Sequence, residues 1–180
     1  MILKCGDVIS EIDPVSTTEA VFKGIMDAGI DFVVSVPCAN LKELIPMVDE
    51  EASIIHVPVT REEEGVGVCA GAYMGGKRTA MLMQNSGLGN SINALSSLNL
   101  LYGIPLVMVI SHRGVEGEPI CAQVPMGELT APLLDTLGIP YYLPVSKDDS
   151  IKAVPAAWAR AVEEKRPVAI LLPIPFWRPA

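Results

Sequence analysis

The sequence predicts an α/β fold, a three-layer α/β/α arrangement with a mostly parallel central sheet. Short runs of apolar, β-branched residues alternate with longer helical patterns along the chain. The runs are continuously apolar, as in parallel strands that are covered on both faces. The 180 residues, of which 50% are apolar, suffice for one domain with a substantial core. We therefore expect a single domain over residues 1–180.

In the first half of the chain, the helix starts carry the clearest signals. Ser16 and Glu19 combine a cap with an acidic first turn. Pro37 ends a β-branched strand, and Thr60 is expected to cap a later helix. The elements expected here are helix 16–29, strand 31–36, helix 40–50, strand 53–57, helix 60–74 and strand 78–83.

In the second half, a polar turn that contains glycines, residues 84–89, is expected to separate a strand from the next helix. Residues 112–127 carry no clear element, and a loop of that length in a domain is usually functional or mobile. The elements expected here are helix 90–102, strand 105–110, helix 128–137, strand 141–143, helix 148–164 and strand 167–172.

The composition excludes several classes of function. A net charge of −8 argues against nonspecific binding of nucleic acid or of an anionic membrane surface. No uncharged apolar run reaches the roughly 18–20 residues that span a bilayer. The N-terminal segment is broken early by Gly6 and Asp7, so it does not resemble a secretory signal, and a cytoplasmic location is expected.

The cysteines and histidines do not predict a metal site. Cys5, Cys38, Cys69 and Cys121 form no C-x-x-C or zinc spacing, so free thiols are expected. With only two histidines in the sequence, a metal site built by this chain alone is not expected.

Three consecutive glutamates, residues 62–64, open the helix that follows Thr60. Successive helical residues point about 100° apart, so the three carboxylates cannot share one environment. An acidic first turn favoured by the helix dipole is the simpler interpretation. However, the body of this helix is apolar all round, which predicts burial, and its glycines each cost about 1 kcal/mol relative to alanine. Periodicity leaves open which glutamate faces inward.

The segment from Gln84 to Asn90 joins a buried strand to a helix, the place where α/β sheets bind ligands. Its glycines allow close approach of a bound group, and the helix N-terminus offers free N–H groups. A nucleophile elbow around Ser86 fails at both flanking glycine positions, and it would need His56 or His112 as base. A Rossmann G-x-G-x-x-G fails at Ile92, and no Walker lysine follows.

Further polar residues follow two other strands at the same edge of the predicted sheet. Arg113 is the best cation for an anionic substrate, although a salt bridge with Glu116 or Glu118 would explain it equally well. Cys38, at a helix N-terminus, is either a reactive thiol or a small space-filling residue.

Four segments resemble the pyrimidine-binding (Pyr) domain of thiamin-diphosphate enzymes, and within that group the family of sulfopyruvate and phosphonopyruvate decarboxylases. The matching segments are VPCANLKEL (36–44), TREEEGVGVCAGAYMGGKR (60–78), MQNSGLGNSINALSSLNLLYGIPLVMVISHRG (83–114) and GELTAPLLDTLGIPYY (127–142).

The resemblance implies a role for each part of the site. One glutamate of the Pyr domain hydrogen-bonds the aminopyrimidine ring of the cofactor, and the motif places that role on Glu63, as a carboxyl held in an apolar pocket. The pyrimidine end would be lined by Pro37, Glu63, Asn85, Ser86, Gly87, Leu88, Gly89 and Asn90. The anionic end of a substrate would meet Cys38, Asn40, His112, Arg113 and Gln123.

The diphosphate-and-magnesium motif of the family, which begins Gly-Asp-Gly, does not occur, because the only Gly-Asp pair precedes Val8. The resemblance therefore implies half an enzyme: a β subunit with the diphosphate-binding (PP) domain would hold thiamin diphosphate through Mg²⁺, and the α chains would also associate. The expected reaction is decarboxylation of a small anionic 2-oxo acid, 3-sulfopyruvate, in coenzyme M biosynthesis. Alternatives are phosphonopyruvate as substrate, a noncatalytic binding or regulatory subunit, and a flavodoxin-like nucleotide binder.

Overall fold

A computed structural model describes residues 16–177, which form a six-stranded, wholly parallel sheet with helices on both faces. The strand order is β2-β1-β3-β4-β6-β5. The strands are β1 (Phe32–Ser35), β2 (Ile55–Pro58), β3 (Thr79–Gln84), β4 (Leu106–His112), β5 (Tyr141–Tyr142) and β6 (Pro167–Pro173). The predicted three-layer α/β/α class is confirmed.

The helices divide into two layers, each with its own apolar core. On one face, α1, α2 and α6 pack on the sheet through residues such as Ile25, Leu44 and Val154. On the other, α3, α4 and α5 pack through residues such as Val66 and Leu134. The helices are α1 (Thr17–Asp27), α2 (Leu44–Glu50), α3 (Glu62–Met74), α4 (Asn85–Ala94, continued by a π-helical turn, Leu95–Leu100), α5 (Val124–Leu137), α6 (Lys147–Glu164) and α7 (Ile174–Trp177).

The cap predicted for the first helix is confirmed. The Ser16 hydroxyl accepts a hydrogen bond from the backbone N–H of Glu19, and the Glu19 carboxylate accepts one from the backbone N–H of Ser16. Each partner satisfies a donor that the first helical turn would otherwise leave free. The sequence signal was strong here because both halves of the capping box are local.

The junction between β3 and α4 corrects the sequence prediction. The polar turn expected at 84–89 does not exist: Gln84 ends the strand, and Asn85 is already the first residue of the helix. Gly87 and Gly89 therefore lie in the first turns of α4, and the helix does not begin at Asn90. Polar and glycine residues are typical of turns, whereas here Ser86, Gly87 and Gly89 occupy the first turns of a helix.

Three other boundaries also differ from the prediction. Arg61 is the N-cap of α3, and the Thr60 hydroxyl bonds to the carboxylate of Glu64 instead of capping the helix. A 3₁₀ turn, Cys121–Gln123, leads into α5 at Val124, so only residues 113–120 of the predicted long loop lack regular structure. Another 3₁₀ turn, Ala39–Leu41, precedes α2. Cys5, Gly6 and Asp7, on which two sequence arguments rested, lie outside the described residues.

Helix α3 is buried on one side only, which corrects the expectation that it is buried all round. A Cβ on Gly65 would lie 2.8 Å from the Met81 Cε and 2.9 Å from the Val34 Cγ1, so this glycine lets α3 approach the sheet closely. Gly67 and Gly71 are exposed, and a Cβ at either position would have no other atom within 4 Å apart from its own helix and chain neighbours. Across residues 16–177, no helix combines the length and the apolar character that a membrane span requires.

Candidate active site

The carboxyl ends of the three central strands β1, β3 and β4 bring most of the predicted site residues to one edge of the sheet. Gln84, at the end of β3, donates from its Nε2 to the Ser86 Oγ (3.0 Å) and to the Gln123 Oε1 (3.1 Å). The Cys38 Sγ lies 3.8 Å from the Gln84 Oε1. The amide of Gln84, the first residue of the predicted ligand-binding segment 84–90, thus joins Ser86, Gln123 and Cys38.

Asn40 reaches the same edge from the segment after β1. Its Nδ2 donates to the Oγ of Ser111, near the end of β4, at 3.0 Å. This bond ties the start of the 3₁₀ turn to the central strand. Asn40 therefore lies beside the other predicted polar residues, as a neutral amide with a fixed position.

Asn85 has a structural role at this edge. Its side chain is fully buried; its Nδ2 donates to the backbone oxygen of Arg113 (3.0 Å) and to the Oγ1 of Thr130 (2.9 Å). Its Oδ1 accepts from the backbone N–H of Arg113 (3.0 Å). Asn85 therefore joins the start of α4 to the end of β4 and to α5. Its side chain uses these bonds internally, so only its backbone is left for a bound group.

Gln123 is held at the edge by a close crossing of two backbone segments. Gly114 has φ +78°, and a Cβ there would overlap the backbone carbonyl of Gln123. A Cβ on Gly127 would likewise overlap the carbonyl of Gly114. Two glycines therefore let the loop after β4 cross the start of α5 in direct contact. This crossing brings Gln123 to Gln84.

The guanidinium of Arg113 forms an ion pair with Glu118, the alternative that the sequence left open. Its Nε donates to the Glu118 Oε2 at 2.6 Å, and its Nη2 donates to the Oε1. The Glu118 carboxylate, 1% exposed, also accepts from the backbone N–H groups of Gly114 and Ile120. The hydrogen bonds from Arg113 and, to a smaller extent, those from the backbone lower the pKa of Glu118 to about 2, although burial opposes this shift. Because the guanidinium and the carboxylate bind each other directly, the charge of Arg113 is largely neutralised in the substrate-free chain.

The three consecutive glutamates have three different environments. Glu62 is buried and points to α4, where its Oε2 accepts a hydrogen bond from the Asn90 Nδ2 at 3.0 Å. Glu64 is exposed and accepts bonds from the hydroxyl and the backbone N–H of Thr60. Glu63 points between these two directions. It lies at the boundary of the open face of α3, which is the exposed side of the helix that includes Gly67 and Gly71. The structure thus resolves the question that periodicity left open: Glu62 faces inward.

Glu63 has one satisfied oxygen and one that is unsatisfied. Its Oε1 accepts from the Nε of Arg61, whereas its Oε2 is enclosed without a hydrogen-bond partner. Its own backbone N–H and then Arg61 hold the pKa of this carboxyl below its usual range. The expectation of an apolar pocket is therefore wrong for this chain by itself, because the side chain is one-third exposed at the open face of α3.

The first turn of α4 packs closely against α3. A Cβ on Gly87 would overlap the Glu62 Cγ and would lie 2.7 Å from its Cδ, so no larger residue fits. Gly89 is less constrained, because a Cβ there would make only ordinary contacts of 3.6 Å with Met126. Leu88 is fully buried in the core beneath the helix, and Asn90 is exposed. The backbone of this turn is therefore what the segment offers to a ligand.

The two histidines do not serve Ser86. The Nε2 of His56 lies 2.8 Å from the Oγ of Ser35, and its Nδ1 lies 2.8 Å from the Oδ1 of Asp49. The Nε2 of His112 is 3.2 Å from the backbone oxygen of Gly127, and burial lowers the pKa of this imidazole. A Ser86 hydrolase therefore has no base in the described chain, and the Ser35–His56–Asp49 series of bonds was missed because its members are far apart in sequence.

The thiols and carboxylates of residues 16–177 form no group of three or more that could hold a metal ion. Cys38, Cys69 and Cys121 are free thiols, and burial raises the pKa of Cys69 to about 12, so that thiol stays protonated. Pro37 is exposed directly after β1, on the same edge as Cys38.

This edge fits the pyrimidine end of the cofactor that the resemblance implies. The enclosed Oε2 of Glu63 has no hydrogen-bond donor, and a buried oxygen without a donor lowers stability. A bound group that donates a hydrogen bond would satisfy this oxygen. The Gly87 turn presents backbone at a helix N-terminus, where donors are free. The site assignments themselves stay predictions.

Comparison with known proteins agrees with this geometry. Residues 15–137 match the family model described as "Thiamine pyrophosphate enzyme, N-terminal TPP binding domain". The chain is 53% identical to the sulfopyruvate decarboxylase subunit alpha of Methanococcus maripaludis, over 90% of this chain and 97% of the relative.

Two longer relatives match this chain along only part of their length. Sulfopyruvate decarboxylase of Methanosarcina acetivorans is 38% identical over 91% of this chain, which corresponds to 41% of the relative. Phosphonopyruvate decarboxylase of Streptomyces viridochromogenes is 36% identical over 83% of this chain and 38% of the relative. Among solved structures, 2-oxoglutarate:ferredoxin oxidoreductase from Magnetococcus marinus superposes with a TM-score of 0.69 at 14% identity, over 88% of this chain and 29% of that one. This last similarity supports the fold alone.

The Arg113–Glu118 pair makes stability depend on pH. Because the pKa of Glu118 is held at about 2, its stabilising effect is present above the ordinary glutamate pKa and is lost as the pH falls through the folded value. We expect Glu118→Gln to lower the free energy of unfolding by about 3 kcal/mol at pH 7. Denaturant unfolding from pH 7 to pH 2 should show the difference from wild type shrinking below about pH 4.

Glu116→Gln is the matched control for this measurement. Glu116 lies on the same loop but is exposed, so its change should alter stability by less than about 0.5 kcal/mol. Equal effects of the two variants, or a difference independent of pH, would show that the Arg113–Glu118 pair does not stabilise the loop.

Proposed function

This chain belongs to the thiamine pyrophosphate enzymes, through their N-terminal TPP binding domain, and from that premise we propose that it is the α subunit of a cytoplasmic sulfopyruvate decarboxylase. Its reaction would convert 3-sulfopyruvate to sulfoacetaldehyde and carbon dioxide, a step of coenzyme M biosynthesis. The identity of 53% over almost the whole of the relative supports this assignment. The observation that carries it is the Glu63 carboxylate at the start of α3: one of its oxygens is enclosed without a hydrogen-bond partner, while the neighbouring Glu62 packs against Gly87 in the first turn of α4.

The chemistry divides between the cofactor and the chain. Thiamin diphosphate, when bound, supplies the nucleophilic carbon and the electron sink that decarboxylation of a 2-oxo acid requires. Glu63 would share a proton with the aminopyrimidine and thereby hold it in the reactive protonation state. The first turn of α4, with Pro37, would line the pyrimidine end.

The substrate groups of this chain are largely neutral. Asn40 and Gln123 hold fixed amides at the edge, and the guanidinium of Arg113 is balanced by Glu118. Cys38 and His112 complete the proposed set. A sulfonate carries one negative charge and a phosphonate up to two, so a site whose arginine is already paired with a carboxylate favours the sulfonate.

The diphosphate end and Mg²⁺ would be held by a partner subunit that carries the PP domain. Support comes from the longer Methanosarcina relative, of which this chain matches only 41%, and from the subunit name of the Methanococcus relative. Residues 1–180 would then be a single Pyr domain. The open face of α3, defined by Glu63, Gly67 and Gly71, is the surface that we propose the partner covers.

Association of α chains is also part of the proposal. Met74, Leu101 and Tyr102 are 77%, 68% and 70% exposed. Met74 and Tyr102 line one surface depression at the end of α3, and Leu101 precedes Tyr102 in the chain. Exposed apolar residues that cluster in this way are typical of subunit interfaces.

Two further candidates differ in substrate or in activity. Phosphonopyruvate is favoured by the 36% identity to a phosphonopyruvate decarboxylase. A noncatalytic regulatory subunit would explain the fold but would leave the unpaired oxygen of Glu63 without a purpose.

Glu63→Gln tests the proposed catalytic role. In the complex with the PP-domain partner, thiamin diphosphate and Mg²⁺, we expect this change to reduce kcat for sulfopyruvate decarboxylation by at least about 100-fold, because the amide cannot exchange the proton. Release of carbon dioxide measures the rate. Glu64→Gln, the exposed neighbour on the same turn, should stay close to wild type. An unchanged rate for Glu63→Gln would refute the catalytic role.

Gly71→Ala tests the partner surface. Since nothing lies within 4 Å of the added Cβ, alanine should stabilise α3 in the chain alone by up to about 1 kcal/mol. In the complex, the same methyl group should weaken association with the partner. Thermal unfolding of the chain and titration calorimetry of the complex measure the two effects. A complex of undiminished affinity would place the partner elsewhere.

Substrate preference is tested by competition between the two 2-oxo acids. We expect kcat/KM for sulfopyruvate to exceed that for phosphonopyruvate, and the gap to narrow at acid pH, where the phosphonate takes up a proton and carries one charge. A higher kcat/KM for phosphonopyruvate at neutral pH would replace the leading candidate with the second.

A further inference from the structure

Glu62 is an acidic side chain that the proposed reaction does not use. It opens α3, it is 8% exposed, and it turns away from Glu63 into the contact between α3 and α4. In the described part of the chain it has no cation partner, and its one side-chain hydrogen bond comes from the amide of Asn90. A buried carboxylate in such surroundings is an unusual choice for a helix contact, where an apolar residue would cost less to bury.

The contact that Glu62 makes is specific in shape. Its Cγ, Cδ and Oε1 all lie within 2.8 Å of the position that a Cβ on Gly87 would take. Its other oxygen, Oε2, accepts from the Asn90 Nδ2 at 3.0 Å. The carboxylate therefore lies across the first turn of α4, with Gly87 beneath it and Asn90 one turn further along.

Both partners of this contact are adjacent to proposed cofactor-binding groups. Glu62 precedes Glu63 on the same helical turn, and Gly87 and Asn90 belong to the proposed pyrimidine-binding turn. The position of the Glu63 carboxylate relative to the α4 backbone thus depends on where Glu62 holds the two helices. A shift of α4 relative to α3 would separate groups that bind the pyrimidine ring together, and binding of the cofactor would then have to restore their spacing at a cost in affinity.

We propose that Glu62 is a positioning residue, which fixes the first turn of α4 against α3 and so sets the affinity of the site for thiamin diphosphate. This inference rests on the proposed function. It assigns the two neighbouring glutamates separate tasks: Glu63 contacts the cofactor, and Glu62 determines the distance between the two helices that bind it.

The steric part of the proposal is tested by a double-mutant cycle in the full chain, with its partner if the two co-purify. Gly87→Ala should lower Tm, because the new methyl group has no room beside the Glu62 side chain. Glu62→Ala removes that side chain, so the double variant should melt at a higher temperature than Gly87→Ala. If Gly87→Ala gives no soluble protein, recovery of soluble protein by Glu62→Ala is the supporting result. Additive effects, or no recovery, would overturn the proposal.

Gly89→Ala is the matched control for the cycle. Gly89 lies on the same helical turn, but a Cβ there would make only ordinary contacts with Met126. Glu62→Ala should therefore show no coupling to Gly89→Ala. Equal coupling at both glycines would indicate a general loosening of α4 and would count against the specific contact.

The positioning part is tested by separating cofactor affinity from turnover in the assembled complex. Calorimetric titration with thiamin diphosphate and Mg²⁺ should give a Kd raised about tenfold or more in Glu62→Ala, with kcat at saturation and the pH profile near wild type. Glu62→Gln keeps the length and an acceptor for Asn90, so it should restore the wild-type Kd.

A reduced kcat in Glu62→Ala at unchanged Kd would overturn the proposal. The proposed function and the positioning role of Glu62 can be refuted independently of each other. A fully active Glu63→Gln would remove the proposed function while leaving the stability coupling between Glu62 and Gly87 intact.

Discussion

The direct passage from β3 into α4, without a connecting turn, is the constraint on which this site depends. Gln84 ends the strand and Asn85 begins the helix, so both side chains are held at the edge of the sheet by regular structure. The strand fixes the direction in which the backbone leaves the sheet. Gly87 is thereby held in direct contact with the Glu62 side chain of α3. Sites built on strands and helices are more exact than sites on loops. In this chain, the loop of residues 113–120 also contributes to the site. It is held in place by the Arg113–Glu118 ion pair and by the backbone crossing at Gly114 and Gly127.

Charge at the edge is arranged so that little of it is free. The guanidinium of Arg113 is paired with a carboxylate that accepts four hydrogen bonds, and the other proposed substrate groups are two amides, an imidazole and a thiol. Such a surface orients a ligand by hydrogen bonds rather than by net attraction. If a partner subunit holds Mg²⁺ as proposed, that subunit would supply most of the positive charge that an anionic cofactor and substrate need.

The sequence was sufficient for the fold class, for most element boundaries and for the edge at which polar residues gather, because these depend on local periodicity and on parallel strands ending together. It was insufficient at the β3–α4 junction, where Ser86, Gly87 and Gly89 carry turn signals but occupy a helix. It could not choose among Glu62, Glu63 and Glu64, because their directions depend on how α3 is rotated against the sheet. Nor could it identify Glu118 as the partner of Arg113, or His56 as the partner of Ser35 and Asp49. Those contacts are set by tertiary packing.

The glycines of α3 have a consequence for motion. Gly65, Gly67 and Gly71 together make the helix about 3 kcal/mol less stable than an alanine equivalent, since glycine loses the most backbone entropy on ordering. Only Gly65 recovers part of this cost within the chain, by letting α3 lie close to the sheet. Local opening of α3 is therefore easier than opening of the sheet, and Glu63 lies in the first turn of this helix, where the contacts of Glu62 with α4 oppose fraying. On the proposed function, Glu63 would acquire a rigid position only when the partner covers the open face of α3.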